Sequence, residues 1–175
     1  MPASLIVTAG VTVAASPEQV WDLAVDWSRQ GEWIWATRSR GGRGAGAAVT
    51  ARTGLGRAGF TDTMLITEWD PPRRCTVTHT GAIVRGEGIF EVRPLGPDRS
   101  EFRWSERIVL PEPVADLIPA GAEAAVTRLA YAVIAPLARA GLGSSLARFA
   151  RLASSGLAGP GPPVRVSRAR LAGAG

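Results

Sequence analysis

The stretch that most narrows what this chain can become is its opening. An apolar run over Ser4–Ala15 passes without a linker into Ser16-Pro17-Glu18 and then Gln19-Val20-Trp21-Asp22-Leu23-Ala24-Val25-Asp26-Trp27. The run is rich in Val, Ile and Thr, so about Leu5–Ala14 is expected as a strand on a half-buried pleated surface. Ser16 then suits an N-cap, Pro17 the first helical position and Glu18 the positive end of the helix dipole. Val20, Trp21, Leu23, Ala24 and Trp27 recur at helical spacing and form one broad apolar face. A second short helical turn is expected over residues 28–33, which gathers Trp27, Trp33 and Trp35 near one rim of the fold.

Further along, strands are expected at about Ala47–Thr53, Phe60–Trp69, Arg74–Thr80, Gly86–Arg93 and Ser100–Leu110, with Asp70-Pro71-Pro72-Arg73 and Gly96-Pro97-Asp98-Arg99 as turns. The glycines of Gly41-Gly42-Arg43-Gly44-Ala45-Gly46 lack the strand-to-helix context of a nucleotide fingerprint and read as a flexible turn between strands. Beyond Pro113 the pattern becomes helical. Val126, Leu129, Ala130, Val133, Ile134 and Leu137 form a stripe that Leu142, Leu146, Phe149 and Leu152 continue, with a kink or short break expected at Pro136 and Gly141-Leu142-Gly143. Such a helix would plug the mouth of a curved antiparallel sheet. Residues 1–157 are therefore expected as one α+β domain, and the Pro/Gly/Arg-rich residues 158–175 as a disordered tail.

Composition removes several functions. Every basic residue is Arg; the chain has no Lys, so neither a Schiff-base enzyme nor a Walker phosphate loop is available to it. With one His and one Cys, zinc sites of the usual His/Cys type are excluded, and no metal or other cofactor is expected. The net charge of +5 falls to +2 once the tail arginines Arg165, Arg168 and Arg170 are set aside. Charge spread in this way does not make the concentrated basic face of a nucleic-acid binder. No apolar run reaches the ~18 residues of a membrane span, and with no secretory signal apparent the cytoplasm is the default compartment. The lone Cys75 agrees with a reducing environment and reads as a small core residue.

The order of elements, a strand, two short helices, five or six antiparallel strands and a long C-terminal helix, resembles the helix-grip fold of the START-like superfamily. Val13-Ala14-Ala15-Ser16-Pro17-Glu18-Gln19-Val20-Trp21, followed by Trp27, Glu32-Trp33 and Asp70-Pro71-Pro72-Arg73, is similar to the polyketide cyclase/dehydrase and SRPBCC branch over about residues 5–155. The resemblance implies a curved antiparallel sheet wrapped around the C-terminal helix, with a hydrophobic cavity between them. Members use that cavity for lipid or sterol carriage or for polyketide ring closure. These motifs are structural, and they carry no catalytic residue onto this chain.

Strand alternation indicates which residues share the cavity face. If the turn pairs Trp69 with Arg74, Ile66 faces Val77, Met64 faces His79, and Asp62 lies beside Gly81. Pairing His79 with Gly88 and Gly88 with Glu106 sets His79 and Glu106 two strands apart, ~10 Å between backbones, across a residue that leaves room. The expected lining is Phe60, Met64, Ile66, Val77, His79, Phe90, Trp104, Glu106 and, from the helix, Val133. Trp33, Trp35 and Trp104 are candidates to grip a flat ligand, and Arg85 and Arg107 to meet a carboxylate. Asp62, His79 and Glu106 are the candidate catalytic cluster, able to orient a carbonyl or phenol and move a proton. A one-residue slip would put all three on the other face. Three functions stay open: a protein that binds a hydrophobic small molecule, a polyketide cyclase or aromatase, and a protein-interaction module. Oligomeric state is not legible.

Overall fold

A computed structural model describes residues 4–81, 84–109, 123–155, 164–166 and 170–172. β1 (Ser4–Val13) leads into α1 (Pro17–Ala24), a 3-10 turn over Trp27–Arg29 and α2 (Gln30–Trp33). Then come β2 (Thr37–Gly41), β3 (Ala48–Leu55), β4 (Ala58–Asp70), β5 (Arg74–His79), β6 (Arg85–Gly96) and β7 (Arg99–Val109). The long helix α3 (Glu123–Ala153) and two short strands, β8 (Val164–Val166) and β9 (Arg170–Ala172), complete the order. Ser16 caps α1 reciprocally. Its hydroxyl accepts the Gln19 N–H at 3.3 Å, and the Gln19 side chain accepts the Ser16 N–H at 3.0 Å, so two otherwise unpaired donors are satisfied.

All strand pairs are antiparallel, in the order β2-β3-β4-β5-β6-β7-β1-β8, with β9 also on β1. The curved sheet packs α3 against β1 and α2, which is the helix-grip arrangement. α3 runs through Pro136 as one helix, without the break expected there. β2 was not anticipated as a strand, because Thr37-Arg38-Ser39-Arg40-Gly41 carries no apolar alternation. As an edge strand it needs only one partner, and Thr37 and Thr53 join it to β3 through their hydroxyls at 3.0 Å. The tail corrects an expectation more directly. Residues 164–166 and 170–172, expected to be disordered, pair with β1, Gly10 opposite Arg165 and Leu5 opposite Leu171. Backbone pairing along the outer edge of β1, with Val166 packing against the core, holds residues that the overall composition of the tail did not mark as ordered.

The core is aromatic where the helices meet the sheet. Trp33, fully buried, places its ring 5.1 Å from Phe149 of α3, 5.6 Å from Trp104 and 6.0 Å from Phe90, while Phe149 stacks on Phe102 at 4.3 Å. Val20, Trp21, Leu23 and Ala24 bury the inner face of α1, and Leu142 and Leu146 extend the buried stripe of α3. Among the described residues no helix is long and apolar enough to cross a membrane. Because Phe149 touches rings from both α2 and β7, Phe149→Ala is expected to cost about 3–5 kcal/mol, read as a lower midpoint in chemical denaturation with little change in slope.

Candidate functional site

A cavity of about 210 Å³ opens on the inner face of the sheet, beside the aromatic cluster. The inner alternation of β4, β5, β6 and β7 supplies Asp62, Met64, Cys75, Val77, His79, Gly88, Phe90, Trp104 and Glu106 to its wall. The opposite side comes from Trp27, Gln30, Ile34, Trp35 and Thr37, with Ala51 and Thr53 from β3.

The strand register brings Asp62, His79 and Glu106 together by a route that differs from the sequence reading in two places. Met64 lies opposite His79 and Ile66 opposite Val77, as expected, yet Asp70 rather than Trp69 pairs with Arg74. A bulge at Thr67, between Ile66 and Glu68, absorbs the extra residue. On the next strand His79 faces Gly86 and Val77 faces Gly88, a shift of two from the expected pairing, which leaves every side chain on its face. Gly88 does lie opposite Glu106.

His79 Nδ1 lies 2.5 Å from Asp62 Oδ2, and Nε2 lies 3.3 Å from Glu106 Oε2. The indole Nε1–H of Trp104 donates to Glu106 Oε1 at 2.6 Å. All three ionisable side chains are at least five-sixths buried, with 8, 9 and 15% exposure for Asp62, His79 and Glu106. The two carboxylates are seated where the backbone has no side chain. A Cβ on Gly88 would come 2.9 Å from Glu106 Oε1, and one on Gly81 would come 2.9 Å from Asp62 Oδ1. Burial by itself would lower the imidazole pKa, but hydrogen bonds to Asp62 and Glu106 and the charge of both carboxylates outweigh it and push His79 up to about 10. The ring is then a cation at neutral pH. Asp62 fixes its orientation, and the longer Nε2 contact is the one a ligand oxygen could replace.

Of the other residues expected to line the cavity, Met64, Val77, Phe90 and Trp104 do so, as do His79, Glu106 and Asp62. Phe60 and Ile66 do not. Ile66 is fully buried in the packed core, and Phe60, further along β4 beyond Asp62, is partly exposed opposite Thr53. The side chain of Val133 lies outside the described residues. Trp33 is core rather than cavity wall, whereas Trp35 is 59% exposed at the rim and Trp27 is a wall residue. Arg85 and Arg107 are exposed and do not line the cavity. Gln30, Ile34, Thr37, Ala51, Thr53 and Cys75 belong to the wall without having been singled out for it. The alternation Val49, Ala51, Thr53 was the available signal for β3. Burial raises the Cys75 thiol to about 12, with the Glu68 charge adding to it, so Cys75 is a neutral wall residue. Among the described residues no group of three or more His, Cys, Asp or Glu side chains is placed to hold a metal ion.

Sheet, gripped helix and inner cavity define a helix-grip protein with a cavity on the inner face of its sheet. The chain matches the family described as polyketide cyclase / dehydrase and lipid transport over residues 4–154, and it belongs to that family. No curated protein matches it. Among solved structures it is similar to the Zhui aromatase/cyclase from Streptomyces sp. R1128, with a TM-score of 0.64 at 21% identity, covering 89% of this chain and 99% of that one. It is also similar to the polyketide-cyclase-like protein Cgl2372 from Corynebacterium glutamicum, with a TM-score of 0.59 at 20% identity over 90% of this chain and 96% of that one. A norcoclaurine synthase point mutant from Thalictrum flavum, in complex with a transition-state analogue, superposes with a TM-score of 0.56 at 16% identity over 90% and 99%. At these identities the likeness is one of fold.

Two outcomes are expected of the cluster. The His79 pKa is raised from about 6.5 to about 10 on folding, so the folded state holds the proton more tightly. Its stabilisation is complete below pH 6.5 and is lost as pH rises through 10. The melting temperature should therefore fall between these limits, and His79→Gln should flatten that fall. Separately, Gly88→Ala should displace Glu106 from Trp104, shift the Trp104 indole N–H resonance and lower the His79 pKa in an NMR titration.

Proposed function

We propose that this protein binds a small, mostly apolar, ring-bearing molecule in the cavity and holds an oxygen of that molecule against His79 Nε2. The observation that carries this reading is an imidazole fixed between two carboxylates inside a wall of Trp27, Met64, Phe90 and Trp104. Apolar walls supply most of the binding, and a few fixed polar groups supply orientation. The volume of about 210 Å³ lies below the ~300–1,000 Å³ of drug-sized sites, which favours one or two rings over a long-chain lipid.

A second reading, turnover of the cyclase/dehydrase kind, is favoured by the loose 3.3 Å contact between His79 and Glu106. A substrate carbonyl entering there would take the Nε2 proton as a new carbon–carbon bond forms, and Glu106 would accept a proton from the carbon that attacks. A carrier has no need of this arrangement, because burying three ionisable groups costs free energy that apolar volume alone does not.

The test uses 1-naphthol and naphthalene as probes, with tryptophan fluorescence as the readout. Both should bind, and Met64→Trp, which fills the cavity, should abolish both without unfolding the protein. His79→Ala should weaken 1-naphthol by about tenfold while sparing naphthalene, as expected for one lost hydrogen bond to a charged group. Unchanged binding in Met64→Trp would remove the cavity as the site. For the second reading, a short poly-β-ketone thioester should lose water in the presence of the protein, about 10²–10⁴-fold more slowly with His79→Ala. Binding without any loss of water would leave ligand binding alone.

A further inference from the structure

The chain carries 20 arginines and a net charge of +5, yet no Arg is among the described residues that line the cavity. His79 is the one lining side chain there able to carry positive charge, and it sits between two carboxylates. Counted formally, one imidazolium against two carboxylates leaves the cavity one negative charge in excess. Among the described residues, Asp62 Oδ1 is buried with no hydrogen-bond partner, and the other carboxylate has the Trp104 indole besides the shared imidazole. Glu106 is the more exposed of the two acids and has its oxygen Oε2 held only by the 3.3 Å contact. A buried charge without a partner is costly, so a ligand that brings the missing positive charge gains more than a neutral one of equal size. Trp27 and Trp104 add indole rings to the same wall, and aromatic faces attract cations.

We propose that the cavity selects a protonated amine: its ligand is a small aromatic molecule whose ammonium group binds at Glu106, and aromatic carboxylates are rejected. The proposal rests on the cavity being the ligand site, as argued above, and it adds the charge of the ligand. The basic exterior would draw anions to the surface of the protein, so the selection must be made inside, by the excess carboxylate.

A matched set of benzylamine, benzyl alcohol and benzoate tests this at pH 7, because the three share one ring and differ mainly in charge. Affinities are measured by calorimetry, and occupancy of the cavity is followed through the Trp104 indole N–H resonance. Benzylamine should bind about tenfold or more tighter than benzyl alcohol, as a charge-assisted hydrogen bond does relative to a neutral one, with benzoate weakest. Glu106→Gln should remove the preference for the amine while benzyl alcohol still binds. If that variant fails to fold, the order of the three ligands on the unaltered protein decides the matter alone. Benzyl alcohol or benzoate equalling or exceeding benzylamine, while moving the Trp104 resonance, would overturn the charge selection and leave the cavity reading standing. No movement of that resonance with any of the three would overturn both.

Discussion

Everything else in the molecule hangs on the packing of Trp33. Its ring is wholly buried and meets Phe90 of β6, Phe102 and Trp104 of β7 and Phe149 of α3, all with centroids 5.1–6.2 Å away. One side chain from a four-residue helix thus ties the sheet to the C-terminal helix. Among the described residues the indole Nε1 of Trp33 has no hydrogen-bond partner, which costs about 1–3 kcal/mol. Burying an aromatic of ~150–250 Å² at ~25 cal/mol per Å² returns about 4–6 kcal/mol, so packing outweighs the orphaned donor. The same rings bound the cavity. Phe90 and Trp104 belong to the cluster and also wall the cavity, so the aromatic core closes its inner end.

How much of this the sequence disclosed depended on which property was being read. Face assignment survived two register errors because side-chain direction repeats every two residues. The shift of His79 from Gly88 to Gly86 moved it by one full repeat, and the bulge at Thr67 restored the register that a shorter turn at Asp70–Arg74 would have broken. The bulge shows in the sequence only as two successive polar residues, Thr67 and Glu68, between the inward-facing Ile66 and Trp69. Strands with little or no apolar alternation were illegible. β2 has no apolar pattern, and the pairing of residues 164–166 with β1 belongs to a segment whose composition argues against order. Among the tryptophans, spacing located the group but not the individual roles. Trp33 went to the core, Trp27 to the cavity wall and Trp35 to the rim, a division set by how α2 meets the sheet.

The cluster of Asp62, His79 and Glu106 illustrates what a sheet must give up to hold charge on its concave face. Each carboxylate occupies space vacated by a glycine, Gly81 for Asp62 and Gly88 for Glu106. Gly81 lies just beyond β5, whereas Gly88 is within β6, where glycine weakens a strand and a regular pleat would carry a side chain. Here the missing side chains let the acids fold back beside the imidazole instead of projecting across the cavity. The ionisable groups therefore collect on one side, and Met64, Val77, Phe90 and the indoles keep the remainder apolar.

This segregation has a consequence for the chemistry the cavity can support. In water an imidazole with two carboxylate neighbours would gain little from them, because solvent screens each pair. At 9% exposure the same neighbours hold the ring protonated well past neutrality, as the rise of His79 to about 10 reflects. A group that remains protonated through the neutral range is a poor shuttle and a steady donor: it can polarise an oxygen, and returning the proton requires a partner of comparable basicity on the ligand. In the reading proposed above, a phenol or enol oxygen, with a free pKa near that of Tyr at about 10, would be such a partner. Under that proposal the burial of His79, the glycines that seat its carboxylates and the ligand oxygen would bear on a single proton.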